Sequence, residues 1–411
     1  MTNVHVTRAL RDLLRDGLFI DGDWVESKDQ DPNGTIRLTQ LADVGETAWR
    51  DRSDRWMNEE QARRIGITRL LPGDVLVARM PDPLGRACLV PETVGRAATV
   101  VDVAILRPSP QSIDNRFLMY AVNSRPVRNQ IELLQAGATR QRVSRKNLGR
   151  VQVPFTPLDE QRAIADYLDQ ETAQIDALVA KQEEFIRLLH ERWSSLVTHE
   201  VMHAAPERSP LRRVVDVIDC AHVTADFVDD KRYPVASIRE CQGATVDLTN
   251  CNYTTEEFYN HLRSSGRAPR VGDLLFIRNV SVGLVAEVAP GTRDFAVGQE
   301  TVLLRRKSNI DPKFLRYALT GAEVGHSIEN AMIGATFRRI NVSAIRSLPV
   351  PVPSPEEQTR IATLLEQQTS RIDSLIAKAE EHIALAKERR SALITAAVTG
   401  QFDVRTARKA G

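Results

Sequence analysis

The chain repeats itself at a spacing of 197 residues, and no other feature limits its possible folds as much. Gly137-Ala138-Thr139-Arg140-Gln141-Arg142-Val143 returns as Gly334-Ala335-Thr336-Phe337-Arg338-Arg339-Ile340. Phe117-Leu118-Met119-Tyr120-Ala121 returns as Phe314-Leu315-Arg316-Tyr317-Ala318, Glu160-Gln161 as Glu357-Gln358, and Ile175-Asp176-Ala177-Leu178 as Ile372-Asp373-Ser374-Leu375. A looser echo pairs Gly73-Asp74-Val75-Leu76 with Gly272-Asp273-Leu274-Leu275. Solenoid repeats run to about 50 residues at most, so a period this long reads as a duplicated domain pair. In each copy a divergent globular part precedes a better-matched helical part.

The helical parts carry a seven-residue apolar track. It holds Leu168, Ile175, Gln182, Leu189 and Leu196 in the first copy, and Leu365, Ile372, Ala379, Ala386 and Leu393 in the second. A second track is expected from Ile164, Leu178, Phe185 and Trp193, then Ile361, Leu375 and Ile383. This heptad pattern predicts two helices of roughly 40 residues, each about 60 Å long. Ser354 can cap the second, Pro355 suits its first position, and Glu357 would complete a capping box. Neither helix can bury its stripe alone. The two are expected to pack as an antiparallel coiled coil that relates the copies by an approximate two-fold. Separate docking of each helix on its own domain is the alternative.

The globular parts read as mixed. The segments 74–78, 99–106 and 273–277 have the apolar runs of buried strands, and turn residues are dense between them. The fold class is therefore α+β, with mixed α/β domains over 1–155 and 206–350. Long-helix segments over 156–205 and 351–411 separate them, the last including a C-terminal tail.

Composition excludes several classes. An apolar fraction of 42% over 411 residues suits a globular protein of two or more domains. No apolar run approaches eighteen residues, so no membrane span is expected. Met1 to Leu18 lacks an apolar signal core, which makes the cytoplasm the expected location. Cys88, Cys220, Cys241 and Cys251 form no C-x-x-C pair and read as reduced structural thiols. Neither a Walker P-loop nor a G-x-S-x-G elbow is present, and no Asn/Asp-Pro-Pro-aromatic motif of an amino-methyltransferase appears. His199-Glu200-Val201-Met202-His203 matches the H-E-x-x-H zinc pattern. It falls at a long-helix terminus, and its counterpart Ala396-Ala397-Val398-Thr399-Gly400 holds no ligands. A polar helix end is the preferred reading, with a zinc metalloprotein kept as an alternative. No metal or cofactor is expected on this chain.

Several segments resemble a known family. Phe19-Ile20-Asp21-Gly22-Asp23-Trp24-Val25-Glu26-Ser27-Lys28-Asp29 and Gly73-Asp74-Val75-Leu76 look like a target recognition domain of type I restriction–modification specificity subunits. Val217-Ile218-Asp219-Cys220-Ala221-His222 and Tyr233-Pro234-Val235-Ala236-Ser237-Ile238-Arg239 resemble another version of it. The Pro-x-Pro run, then Glu-Gln, then Ile-Asp-x-Leu-x-x-Lys is similar to the family's helical regions. Thr399-Gly400-Gln401-Phe402-Asp403-Val404-Arg405 is similar to its usual ending. The resemblance implies a non-catalytic subunit whose two recognition domains read the halves of a bipartite duplex DNA site. Its helices would set the spacer and dock two modification subunits, and two restriction (motor–nuclease) subunits would join for cleavage. S-adenosylmethionine, ATP and Mg are implied on those partners. A stand-alone sequence-specific DNA-binding protein is the other reading.

Candidate DNA contacts follow from charge. Residues 125–150 hold seven basic side chains and one acidic, Glu132. Arg140, Arg142, Arg145 and Lys146 follow the turn at Gly137-Ala138-Thr139 and could neutralise phosphates. The counterpart offers Thr336, Arg338 and Arg339. Arg79 and Arg278 follow equivalent apolar strands, where a guanidinium fork would suit guanine or phosphate, with a surface ion pair as the alternative for each.

Overall fold

The computed structural model describes residues 6–81, 83–135, 141–307, 310–332 and 338–407. It divides into unit 1, Met1–Gln182 with Glu381–Gly411, and unit 2, Glu183–Glu380.

Each unit is built around the same sheets. In unit 1 a four-stranded antiparallel sheet runs in the order Leu18–Asp21, Val103–Arg107, Val75–Ala78, Ala87–Leu89. In unit 2 the order is Val215–Asp219, Thr301–Arg306, Leu274–Ile277, Val285–Glu287. A three-stranded sheet accompanies each, centred on Ile36–Thr39 and on Tyr233–Ala236. Its central strand pairs in parallel with Ala97–Thr99 or Ala296–Val297. A two-stranded ribbon closes each unit, Val6–Ala9 with Gln152–Phe155 and Arg208–Pro210 with Pro349–Pro351.

The repeated motifs mark the joints of this plan. Gly73 and Gly272 turn at φ of +84° and +82°, a region that disfavours a Cβ, and each is followed by a buried aspartate. Asp74 receives the Arg107 fork at 2.6 and 2.7 Å, and Asp273 receives Arg305 Nη2 at 2.9 Å. Buried Gln161 accepts from Asp114 N at 2.9 Å, and buried Gln358 from Asp311 N at 2.7 Å. The Glu-Gln repeat therefore pins the start of each long helix to the cap of a globular helix. Tyr120 and Tyr317 place their hydroxyls 3.2 and 3.0 Å from Thr172 and Thr369 on the long helices.

The long helices span Leu158–His203 and Pro355–Val398. In unit 1 the start of the first, Ile164, Ala165 and Leu168, shares a core with the end of the second, Ile394, Ala397 and Val398. In unit 2 the end of the first, Val197 and Val201, shares a core with the start of the second, Ile361, Ala362 and Leu365. The packing is antiparallel in both. Each unit thus takes half of each helix, a division that differs from the segments read in the sequence. The cause is that neither helix can bury its stripe alone, so each lends its second half to the other copy. Full burial of one Leu or Val contributes roughly 1.5–3 kcal/mol, enough to decide between this exchange and separate docking.

The first heptad track is buried at Leu168, Ile175, Leu189, Leu365, Ile372, Ala379 and Ala386. The second track is buried at Ile164 and Ile361 but differs from expectation at Leu178, Phe185 and Leu375, which are 49%, 41% and 43% exposed. The seam is completed instead by Ala165 with Thr172 and by Ala362 with Thr369, which are buried. Small residues there leave room for Tyr120 and Tyr317. Ser354 Oγ accepts from Glu357 N as expected, but the Glu357 carboxylate turns to Arg360 at 2.7 and 2.8 Å rather than back to the cap. Among the described residues no helix is long and apolar enough to cross a membrane.

Candidate nucleic-acid interface

The strand Val75–Ala78 is buried on both faces, and Arg79 follows it. Asp21 ends the strand Leu18–Asp21, which lies across Val103–Arg107 from Val75–Ala78. The Arg79 side chain is 3% exposed, with Nη1 3.1 Å from Asp21 Oδ1 and Nη2 donating to the Val101 carbonyl at 2.5 Å. Burial pushes its pKa below the ordinary arginine value; Asp21 opposes this, while Arg142 and Arg145 add to it. Unit 2 repeats the arrangement. The Arg278 side chain is 7% exposed, with Nη1 2.9 Å from Asp219 and Nε 3.5 Å from Glu300. The reading of Arg79 and Arg278 as groups facing DNA does not fit this placement. Each buried guanidinium is spent on a partly exposed carboxylate, because a charge closing an apolar strand must be paired within the protein.

The outer arginines sit on the solvent side of these pairs. Arg142 is 38% exposed and approaches Asp102 at 3.6 Å, with Nη2 donating to Val101 O at 3.3 Å. Arg339 is 44% exposed and approaches Glu300 at 3.4 Å. Arg145 and Lys146 are exposed on the short helix Arg145–Leu148, whose Asn147 N donates to Ser144 Oγ at 3.1 Å. Arg338 is exposed beside Arg339. Thr139, Arg140 and Thr336 lie outside the described residues. Not every base of the 125–150 run faces solvent: the Arg128 side chain is 11% exposed and pairs with Glu46 at 3.1 Å.

Backbone bonds lock the parts together. Arg79 N donates to Asp102 O at 2.9 Å, and Val143 N donates to Arg79 O at 3.0 Å. The counterparts are Arg278 N to Glu300 O at 3.0 Å and Ile340 N to Arg278 O at 2.9 Å. Val280 and Glu300 hold φ of +59° and +65°, a conformation costly for residues bearing a Cβ and found where surrounding structure enforces it. Sequence reasoning missed the four acids Asp21, Asp102, Asp219 and Glu300. The available signal was an aspartate closing an apolar strand in both copies.

In unit 2, Asp219 also lies 2.8 Å from His222 Nε2, and Cys220 Sγ lies 3.7 Å from His222 Nδ1. Burial works against the Asp219 charge, but His222 and Arg278 outweigh it and hold the carboxyl below its usual range. These three ligand atoms lie within 4.8 Å of one another. The Arg278 guanidinium on the same carboxylate opposes a bound cation. His199 and His203 end the first long helix with ring centroids 4.5 Å apart, and His203 Nδ1 lies 2.8 Å from the His199 carbonyl oxygen.

Comparison with known proteins accords with this architecture. The profile of the type I restriction modification DNA specificity domain matches residues 226–384. The chain is 23% identical over 361 residues to the protein assigned as the MjaX type I restriction enzyme specificity subunit of Methanocaldococcus jannaschii, covering 83% of this chain and 81% of that one. It is 20% identical over 325 residues to the EcoKI specificity subunit of Escherichia coli K12, covering 72% and 68%. Its fold matches a chain solved in work on the complex assembly and conformational transition of the type I R-M system. That match has a TM-score of 0.68 and 17% identity, and covers 94% of this chain and 98% of the other. Together with the duplicated sheets and shared long helices, these matches make the chain similar to type I restriction–modification DNA specificity subunits.

Proposed function

We infer that the chain is the DNA sequence-specificity subunit of a type I restriction–modification complex. The observation that carries this reading is the duplication: one sheet topology built twice on a single chain, each time beside half of each long helix. Two diverged readers on one chain suit a bipartite duplex site with different halves and an unread spacer. Arg142, Arg145 and Lys146 in unit 1, and Arg338 and Arg339 in unit 2, supply exposed charge for phosphates. Arg79 and Arg278 support them from beneath. The long helices keep large apolar side chains exposed at Leu178, Phe185, Leu188, Leu375 and Leu385, which supports their use as a docking surface for two modification subunits. The chain itself is non-catalytic in this reading. Methyl transfer with S-adenosylmethionine belongs to the modification subunits, and ATP- and Mg-dependent cleavage to two restriction subunits, in the cytoplasm. The zinc and stand-alone readings are not favoured by the family findings.

The test is co-purification with the candidate modification subunit, followed by single-molecule sequencing of methylation in cells carrying both. A bipartite methylated site that disappears when this chain is deleted is the expected result. No association and no change in methylation, with an active partner confirmed, would overturn the reading.

A further inference from the structure

Both units build a similar four-group cluster, and in each the link to the outer arginine is loose; in unit 2 the Arg278–Glu300 contact is also long, at 3.5 Å. The inner arginines are tightly buried, whereas the outer ones meet their acids at 3.6 Å (Arg142–Asp102) and 3.4 Å (Arg339–Glu300). A charge-assisted hydrogen bond closes to about 2.7–2.9 Å. The main chain around them does not share this looseness. The acid, the inner arginine and the residue after the outer arginine are joined by hydrogen bonds of 2.9–3.0 Å in both copies. Each outer guanidinium is therefore held near its place by a weak ionic contact on a fixed backbone, joined in unit 1 by the 3.3 Å bond from Arg142 to Val101 O, with over a third of its side chain open to solvent.

We propose that Asp102 and Glu300 are positioning residues of the DNA interface, each holding the outer arginine of its unit in register and releasing it to a backbone phosphate of the duplex. This rests on the reading of the chain as a DNA specificity subunit. The acid acts in two ways. It limits the rotamers of a long cationic side chain before binding, so less order is lost on contact. It also repels any phosphate that arrives out of register, so it opposes non-specific binding more than specific binding.

The two clusters reach the same balance by different residues. Unit 1 sets Arg79, Arg142 and nearby Arg145 against Asp21 and Asp102. Unit 2 sets Arg278, Arg339 and the adjacent Arg338 against Asp219 and Glu300, with Val342 at the position matching Arg145 and Arg338 at the position matching Gln141.

The experiment compares the full chain bound to its modification subunit with Asp102→Asn, Glu300→Gln and Asp102→Glu forms. Affinity is measured for a duplex bearing the site found by methylation sequencing and for a scrambled duplex of equal length. Asp102→Asn and Glu300→Gln should each raise scrambled-duplex affinity and lower the specific-to-scrambled ratio about three- to tenfold. Asp102→Glu should keep the ratio close to that of the unaltered chain. An unchanged ratio overturns the proposal. So does a parallel fall in both affinities together with the thermal midpoint, which would make the acids structural only. If the unaltered chain shows no preference between the duplexes, the functional reading itself fails, and this inference with it. The two sites lie in separate units, so a folding defect in one variant leaves the other informative.

Discussion

Arg390 grips Asp176 within unit 1, with Nε 2.8 Å from Oδ1 and Nη2 3.1 Å from Oδ2, while Nη2 also donates to Thr47 Oγ1. One guanidinium so ties both long helices to a loop of the globular part. The repeat carries Asp176 to Asp373 and Arg390 to Trp193, so unit 2 keeps the acid and lacks the base. There, burial pushes the Asp373 carboxyl above its usual range, against the nearby Arg316 and His190. Arg390→Ala should destabilise unit 1 by about 1–2 kcal/mol, a value held down by the half-exposed Asp176. A double-mutant cycle with Asp176→Asn, read by urea denaturation, measures the pair. Coupling indistinguishable from zero would mean the fork contributes only packing.

Thr395 and Thr198 make exchanged caps. Thr395 Oγ1 accepts from Arg125 N at 3.0 Å within unit 1, and Thr198 Oγ1 accepts from Ala322 N at 3.1 Å within unit 2. Each hydroxyl belongs to the helix lent by the other copy, and each satisfies a helix-start amide that has no partner in its own turn. Thr395→Val keeps the shape and removes the acceptor, so a loss of about 1 kcal/mol is expected. Faster amide exchange at Arg125 should accompany it. Unchanged protection there would show that another group serves the amide.

Much of this fold was legible because its carriers recur at one spacing. The 197-residue repeat exposed Gln161 with Gln358 and Tyr120 with Tyr317 before any geometry was known, and the heptad track found Leu168 and Ile175. The second track found Ile164 and Ile361 but misled at Leu178, Phe185 and Leu375, because periodicity reports a face without saying what covers it. Leu178 and Phe185 sit at apolar spacing yet remain exposed, whereas the buried positions are filled by Ala165 and Thr172, which periodicity does not reward. The site was half legible. Basic residues after the repeated turn stood out as charge, but whether an arginine faces solvent depends on partners distant in sequence. Asp21 and Arg79 are 58 residues apart, and nothing local marks them as a pair.

Asp43 gives a pH prediction with a definite sign. Its carboxylate is buried and accepts from Gln40 N at 2.8 Å, Arg52 N at 2.7 Å and Ser53 N at 2.8 Å, as well as from the Ser53 hydroxyl. Burial alone would raise its pKa, but these donors outweigh it and hold the carboxyl below its ordinary value of 3.8. A depressed folded-state pKa contributes stability that is present above the unfolded value and lost as pH falls through the folded one. Asp43→Asn should therefore cost about 2–3 kcal/mol at neutral pH. The difference from the unaltered chain should shrink as pH falls below 3.8. Denaturation midpoints of both forms across that range check it, and a pH-independent difference would assign the loss to packing.

Arg79 and Arg142 should separate stability from binding. They share the Val101 carbonyl as acceptor, at 2.5 and 3.3 Å, yet one side chain is 3% exposed and the other 38%. Arg79→Ala empties a buried position and leaves Asp21, which is 30% exposed, without its partner, a loss of about 1–3 kcal/mol. Arg79→Lys cannot reach both Asp21 and Val101 O with one ammonium, so it should recover only part of that loss. Arg142→Ala removes a loosely held surface arginine and should leave the melting temperature within about 1–2 °C of the unaltered chain. Its effect belongs to DNA: weaker binding to specific and scrambled duplexes alike, with the salt-dependence slope reduced by about one. Thermal melts and salt titrations on the two variants read both quantities. Equal melting temperatures for Arg79→Ala and the unaltered chain would restore Arg79 as a candidate DNA contact. A large melting loss in Arg142→Ala would move the outer arginine into the structural framework with Arg79.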